Sequence, residues 1–325
     1  MRSIVIKEPG GPEVLAIEER PDPVPTPGHV LVEVKAFGVN HAETHMRKGE
    51  WPEATEISGI ELVGRVRADP SGRLARGQTV VAFMGGMGRS ISGSYAELAN
   101  PPAANVIAVS TDLPWADLAA IPESYATAWL CLMGNLELER GQTLLIRGAT
   151  SALGQAALNM AADLGAEAVA TSRDPARFAL LQALGARHTL AEGPDLHERV
   201  RELYPAGVDA VLELVGNSTV LGSLTTLRRG GRLCEAGWLG GLAPIEAFNP
   251  IAQLPSGVHY SLFGSFVFGA PEFPVSEAPM QRIVDKVAAG AYKAKPARVF
   301  RFEEIAEAHR LMEAGQAGGK IVVTV

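Results

Sequence analysis

The sequence predicts an α/β protein in two parts: an all-β unit, and a doubly wound unit built on a parallel sheet. Three observations predict it. Residues 1 to about 118 are strand-like and heavily punctuated by glycine and proline. Residues 119–269 alternate short apolar strands with helical segments, the pattern of βαβ units. Residues 270–325 end in segments that again read as strands. The chain is therefore expected to return to its first unit and complete it, leaving a discontinuous domain (1–118 and 270–325) around a second one (119–269).

Each element follows in order. In the first part SIVI, VLAIEE, HVLVEVKAFGV, LVGRVRA and QTVVAF are rich in β-branched residues, and PDPVPTPG (21–28) is a rigid turn segment. In the second part TLLIRGA leads into the helix SALGQAALNMAADLG. AEAVATS is followed by the helix PARFALLQALG, and RHTL by a polar helix from Asp195 to Leu203. VDAVLELVG precedes a helix over Ser218–Arg228, and GRLCEAG and HYSLFGSF complete six strands, with LFGSFVFG (262–269) placed on the last. Strands buried on both faces explain these near-continuous apolar runs, and six of them match a full doubly wound sheet. The tail reads as a helix near 276–289, the strand ARVFRF, a helix over 303–313, and the strand KIVVTV.

Composition narrows the function. Of 325 residues 47% are hydrophobic and 20% charged, enough for a sizeable core. A net charge of −7 implies no broad basic surface, so no nucleic-acid partner is expected. Two distant cysteines, Cys131 and Cys234, exclude a disulfide framework and a Cys-rich zinc site; both are expected to be buried and inert. No apolar run has membrane-spanning length, and MRSIVIKEPGG does not read as a signal peptide. A cytoplasmic protein with no membrane partner is expected.

The segment RGATSALGQ, Arg147–Gln155, joins a strand to a helix. A dinucleotide loop in that setting aims backbone N–H groups at a pyrophosphate, and its three glycines permit a tight turn, close phosphate approach and close helix packing. Here Ala149, Ser151 and Gly154 hold those positions. With Thr150, Ala152 and Leu153 they form either a cofactor loop or an ordinary β-α turn. The next strand ends in Ser172 and Arg173, with Arg177 beyond, where a loop for NAD would carry an acidic residue. Serine with arginines suits the 2′-phosphate of NADP; solvated surface arginines are the other reading. Val215 and Gly216, then Gly237 and Trp238, fall at the carboxyl ends of the fourth and fifth strands, where such sheets bind ligands.

The chain resembles the zinc-independent quinone oxidoreductase branch of the medium-chain dehydrogenase/reductase superfamily. The resemblance rests on GGPEVLAIEERPDPVPTPGHVLVEVKAFGVNHAE, GATSALGQAAL, GRLCEAG and RFEEIAEAHRLMEAGQAGGKIVVTV, and spans nearly the whole chain. It implies a GroES-like, partly β-barrel catalytic domain plus a doubly wound Rossmann domain. It also implies NADPH in the cleft between them, a quinone or α,β-unsaturated carbonyl as substrate, and a homodimer. Zinc-using relatives carry a cysteine after Gly-Val and then Gly-His-Glu. This chain has Asn40 and Ile60 at the cysteine and histidine positions, and neither is a usual zinc ligand. His41 and His45 share a helical spacing, but a metal-free site is expected.

Without a metal, amide, hydroxyl, imidazole or backbone groups must stabilise the oxygen that gains charge. The resemblance assigns to Asn40 a hydrogen bond with the substrate oxygen or the nicotinamide ribose, and brings Thr127 toward the nicotinamide. His45 and Trp51 stand where relatives offer tyrosines. His45 is a proton donor or a satisfied surface histidine, and Trp51 a pocket wall or a core residue. Tyr125 is a further pocket candidate, Arg47 a family arginine or a surface ion-pair residue, and Ser265 and Phe266 could reach the carboxamide. Reduction of an enoyl thioester or aldehyde, or a non-catalytic NADPH-binding sensor, remain as alternatives.

Overall fold

The structure, a computed structural model, describes residues 1–51 and 53–325. It separates into one unit of Met1–Ala126 with Ser265–Val325, and another of Thr127–Gly264.

The first unit opens with β1 (Arg2–Ile6) and β2 (Leu15–Glu19), an antiparallel ribbon. Then come β3 (Leu31–Val39), α1 (His41–Arg47), β4 (Glu61–Ala68), β5 (Thr79–Phe83), β6 (Leu98–Ala99), β7 (Val106–Ala108), α2 (Trp115–Leu118) and α3 (Pro122–Trp129). The second unit runs β8 (Thr143–Arg147), α4 (Ala152–Leu164), β9 (Glu167–Ser172), α5 (Phe178–Ala183), β10 (Ala186–Ala191) and α6 (Leu196–Leu203). It continues through β11 (Val208–Glu213), α7 (Val220–Leu224), β12 (Leu227–Glu235), α8 (Pro250–Gln253) and β13 (His259–Leu262). The chain then rejoins the first unit with α9 (Met280–Ala288), β14 (Arg298–Arg301), α10 (Ile305–Glu313) and β15 (Ile321–Thr324).

The main sheet of the first unit has the order β14-β15-β3-β4-β5-β7, with β6 also on β3. β15 pairs antiparallel with β3, Ile321 opposite Val39. Its core includes Val32, Val34, Phe37, Leu62, Val80, Phe302 and Val323. Phe37 stacks on Tyr95 at 4.6 Å and meets Phe302 edge-on at 6.4 Å.

In the second unit all six strands are parallel, in the order β10-β9-β8-β11-β12-β13. The strand order reverses between β8 and β11, the topological switch point of a doubly wound fold. Leu145, Val169, Val211 and Leu233 form the centre of its core.

Two expected elements differ. The helix expected over Ser218–Arg228 is only Val220–Leu224. The hydroxyls of Thr225 and Thr226 donate to the carbonyls of Gly222 and Ser223, both at 2.7 Å, and so end the helix. Leu227 then pairs with Val208 as strand. LFGSFVFG is likewise not the last strand, which closes at Leu262; Ser265–Val267 is a single 3-10 turn. The Phe268 ring packs edge-on against Phe83 at 5.2 Å, and its carbonyl accepts from Asn105 Nδ2 at 3.0 Å. Those contacts draw the segment into the first unit.

Candidate active site

The carboxyl end of β3 carries the densest buried charge of the first unit. Asn40 caps α1: its backbone N–H donates to Glu43 Oε2 at 2.8 Å. The Asn40 amide nitrogen donates to Glu61 Oε1 at 3.0 Å and to Glu43 Oε1 at 3.3 Å. Its oxygen accepts from Lys320 Nζ at 2.5 Å. Lys320 also pairs with Glu61 and donates to Ser124 Oγ at 3.3 Å, while Glu61 Oε2 accepts the Glu123 backbone N–H at 2.9 Å. Lys320, Glu43 and Glu61 are all buried.

Burial costs an ion its hydration, so such a cluster persists only when every charge is paired and hydrogen-bonded. Burial pulls the Lys320 ammonium down, but Glu61, Glu123 and Glu43 outweigh it and the net shift is upward. Burial raises Glu43 to about 7, against Lys320 and the Ile60 N–H, which favour its ionised form.

This geometry occupies most of the hydrogen-bonding capacity of Asn40. A carboxamide has two N–H donors, and both are committed to carboxylates; the oxygen alone retains a lone pair. As built, Asn40 can accept a hydrogen bond from a ligand hydroxyl.

The other expected residues are spread over several elements. His45 stacks on Trp51 with ring centroids 5.8 Å apart, and its Nδ1 bonds the Glu50 carboxylate. The Arg89 guanidinium lies 5.7 Å from the Trp51 ring and 5.3 Å from that of Phe266. Phe266 is 54% exposed and borders an open groove of about 550 Å³ with Gly85, Gly86, Asn105 and Phe273; Ser265 precedes it, half-buried. Tyr125 is buried and stacks on Tyr292 at 5.7 Å. Thr127, the first residue of the second unit, is buried on α3. Arg47 is no surface residue: it is fully buried and paired with Glu313 at 2.6 Å.

In the second unit the loop after β8 is built as a cradle. Gly148 takes φ 77°, and Ser151 N–H donates back to its carbonyl at 3.1 Å. The tight turn is thus made one residue before Ala149, where a glycine was sought. Ser151 is the N-cap of α4; its hydroxyl donates to Gly148 O at 2.9 Å and accepts from Gly154 N at 3.1 Å. That leaves Ala152 and Leu153 as the first helical residues, whose N–H groups have no intrahelical acceptor. The carbonyl of Thr150 accepts from the Gln155 amide at 2.9 Å. A Cβ on Gly154 would sit 2.6 Å from Ala149 Cα, so loop and helix approach as only glycine allows. Backbone N–H groups at the positive end of a 13-residue helix suit a pyrophosphate.

Residues that sequence reasoning passed over hold this cradle. Arg147, ending β8, is buried; it pairs with Glu192 and donates to Thr219 O at 3.2 Å and Ser223 Oγ at 3.1 Å. Thr171, next to last in β9, bonds the same Glu192. Glu213, ending β11, accepts the N–H groups of Val215 at 2.8 Å and Gly216 at 3.1 Å. A polar residue at or near the end of each of these strands was the available signal. Gly216 takes φ 95°, and a Cβ there would meet Gly237 O at 2.8 Å, so the two strand-end loops close on each other, with Trp238 half-buried beside them.

At the end of β9, the Ser172 hydroxyl is held in a turn with Asp174 N and O, both at 3.1 Å. Arg173 is exposed, and Arg177 lies 3.8 Å from Asp174. Among the described residues no group of three or more His, Cys, Asp or Glu could hold a metal, and no helix is long and apolar enough to cross a membrane. Both cysteines are buried, and neither is in a disulfide.

Comparison with known proteins agrees with this architecture. Residues 26–111 match the alcohol dehydrogenase GroES-like domain family, and residues 164–323 the zinc-binding dehydrogenase family. The chain is 30% identical to polyketide synthase GfsB of Streptomyces halstedii over 92% of its own length, but spans only 5% of that protein. It is 27% identical to a quinone oxidoreductase of Lama guanicoe, covering 99% of this chain and 97% of the relative. Among solved structures it is similar to mycobacterial Rv1454c complexed with NADPH. That match has a TM-score of 0.88 and 27% identity, over 100% of both chains.

Proposed function

We propose, on the premise that the chain belongs to the quinone oxidoreductase branch of the medium-chain dehydrogenase/reductase superfamily, that it is an NADPH-dependent reductase of quinones or activated alkenes. The carrying observation is the cradle of Gly148–Gly154 followed by Ser172 and Arg173. In this reading the N–H groups of Ala152 and Leu153 meet the pyrophosphate, with Ala149 and Gly154 giving it room. Arg173 and Arg177 meet the 2′-phosphate beside Ser172. Val215, Gly237 and Trp238 line the nicotinamide side, with Thr127, Ser265 and Phe266 as further contacts. Bound there, NADPH supplies a hydride; one further proton completes reduction of a quinone to a hydroquinone. Asn40 accepts a hydrogen bond from a hydroxyl of the nicotinamide ribose through its remaining lone pair. His45, Trp51 and Tyr125 bound the substrate.

The test is to titrate the purified protein with NADPH by fluorescence and assay turnover over a panel of quinones and enones. Saturable NADPH oxidation with at least one of them is the expected result. Tight NADPH binding without any turnover would overturn the enzymatic reading in favour of a sensor. The likeness to a stretch of a polyketide synthase favours a second reading, reduction of an unsaturated thioester; an enoyl-thioester substrate in the same panel decides between them.

A further inference from the structure

We infer that Lys320 is a positioning residue that fixes which way the Asn40 carboxamide faces. The inference rests on the reading of Asn40 just given. Amide oxygen and nitrogen are nearly alike in shape, so an asparagine at a site mouth has two orientations of opposite hydrogen-bonding sense. Here one is imposed. An ammonium has three donors and no acceptor, and Nζ lies 2.5 Å from Asn40 Oδ1. A carboxylate only accepts, and Glu61 Oε1 lies 3.0 Å from Asn40 Nδ2. Flipping the amide would set N–H against ammonium and oxygen against carboxylate.

The backbone is arranged for this pair. Register places Ile321 opposite Val39, so Lys320 and Asn40 are neighbours across the β15–β3 ladder. Gly38 leaves the space: a Cβ there would fall 2.3 Å from Glu61 Oε1 and 2.4 Å from Lys320 Cε. Zinc-using members of the superfamily put a metal ligand where Asn40 stands. In this chain a fixed organic cation orients the residue at that place.

The experiment compares NADPH dissociation constants, by fluorescence, for the wild type and the K320M, N40A and K320M/N40A variants. Lys320→Met is expected to weaken NADPH about tenfold, the scale of one oriented hydrogen bond. Asn40→Ala should lose as much, and the double variant no more than N40A alone, because Lys320 acts through Asn40. Should K320M not fold, K320M/E61Q removes both buried charges; it is expected to regain wild-type melting behaviour yet keep the weakened NADPH affinity. Wild-type affinity in either Lys320 variant, or additive losses in the cycle, would overturn the proposal. So would failure of both Lys320 variants to fold, which would make the pair a support of the fold alone. A wild type that binds no NADPH defeats the underlying reading instead.

Discussion

Glu43 carries the clearest electrostatic consequence at the scale of single residues. Its ordinary value is 4.5, and burial holds it near 7 in the fold. The folded state therefore binds this proton more tightly than the unfolded chain. Its contribution to stability is full below about pH 4.5 and is lost as the pH rises through 7, on the order of 3 kcal/mol. Urea melts from pH 5 to 8 should show this fall, and Glu43→Gln, neutral throughout, should flatten it; an unchanged slope in E43Q would contradict the assignment. Arg173→Glu should weaken NADPH far more than NADH, whereas equal losses would sink the 2′-phosphate role. Asn40 could be proposed from the sequence because it stands where zinc-using relatives carry a metal ligand. Lys320 could not: it lies 280 residues away, and only strand pairing brings it there. Of the two readings of Arg47 the surface one fails, since the side chain is buried and its partner Glu313 lies 266 residues on.

Among the elements, the β8–α4 turn shows what a motif can and cannot convey. The pattern of strand, small residues and helix was readable, and so was Gly154 as the packing glycine. The division of labour inside the loop was not, because it depends on φ angles. Gly148 makes the turn and Ser151 spends its hydroxyl on the helix cap. Ser151→Ala should cost about 1 kcal/mol of stability, measured by denaturant unfolding. Gly154→Ala forces a methyl against backbone at Ala149. It should cost about 1–3 kcal/mol as overpacking and weaken NADPH with it; a G154A protein with unchanged affinity would show the loop to be an ordinary turn. The shortened α7 was hidden for another reason. Threonine hydroxyls ended it by taking local carbonyls, a choice that hydrophobic periodicity does not register.

For the molecule as a whole, the six parallel strands and the returning tail were legible because strand burial and helix amphipathicity leave different periods in the sequence. The last segment was misplaced because Phe268 is claimed by Phe83, a contact no local pattern announces. The residues at the site also make a statement about metal: Asn40 and Ile60 are poor ligands, and a buried ammonium stands among the oxygens of Asn40 and Glu61. Turnover should accordingly survive exhaustive dialysis against a strong chelator, and activity that disappears and returns with zinc would refute that prediction.

Gly38 and Lys320 also set the order in which this scaffold could be re-engineered. Restoring a cysteine at position 40 and a histidine at 60 would place a divalent ion beside a positive charge that has no room to swing away, because Gly38 has already surrendered its side-chain volume to it. Like charges a few ångströms apart in a poorly solvated interior repel by several kcal/mol. The first mutation toward a metalloenzyme would therefore be made at Lys320, in the C-terminal strand pair, and the ligands would follow.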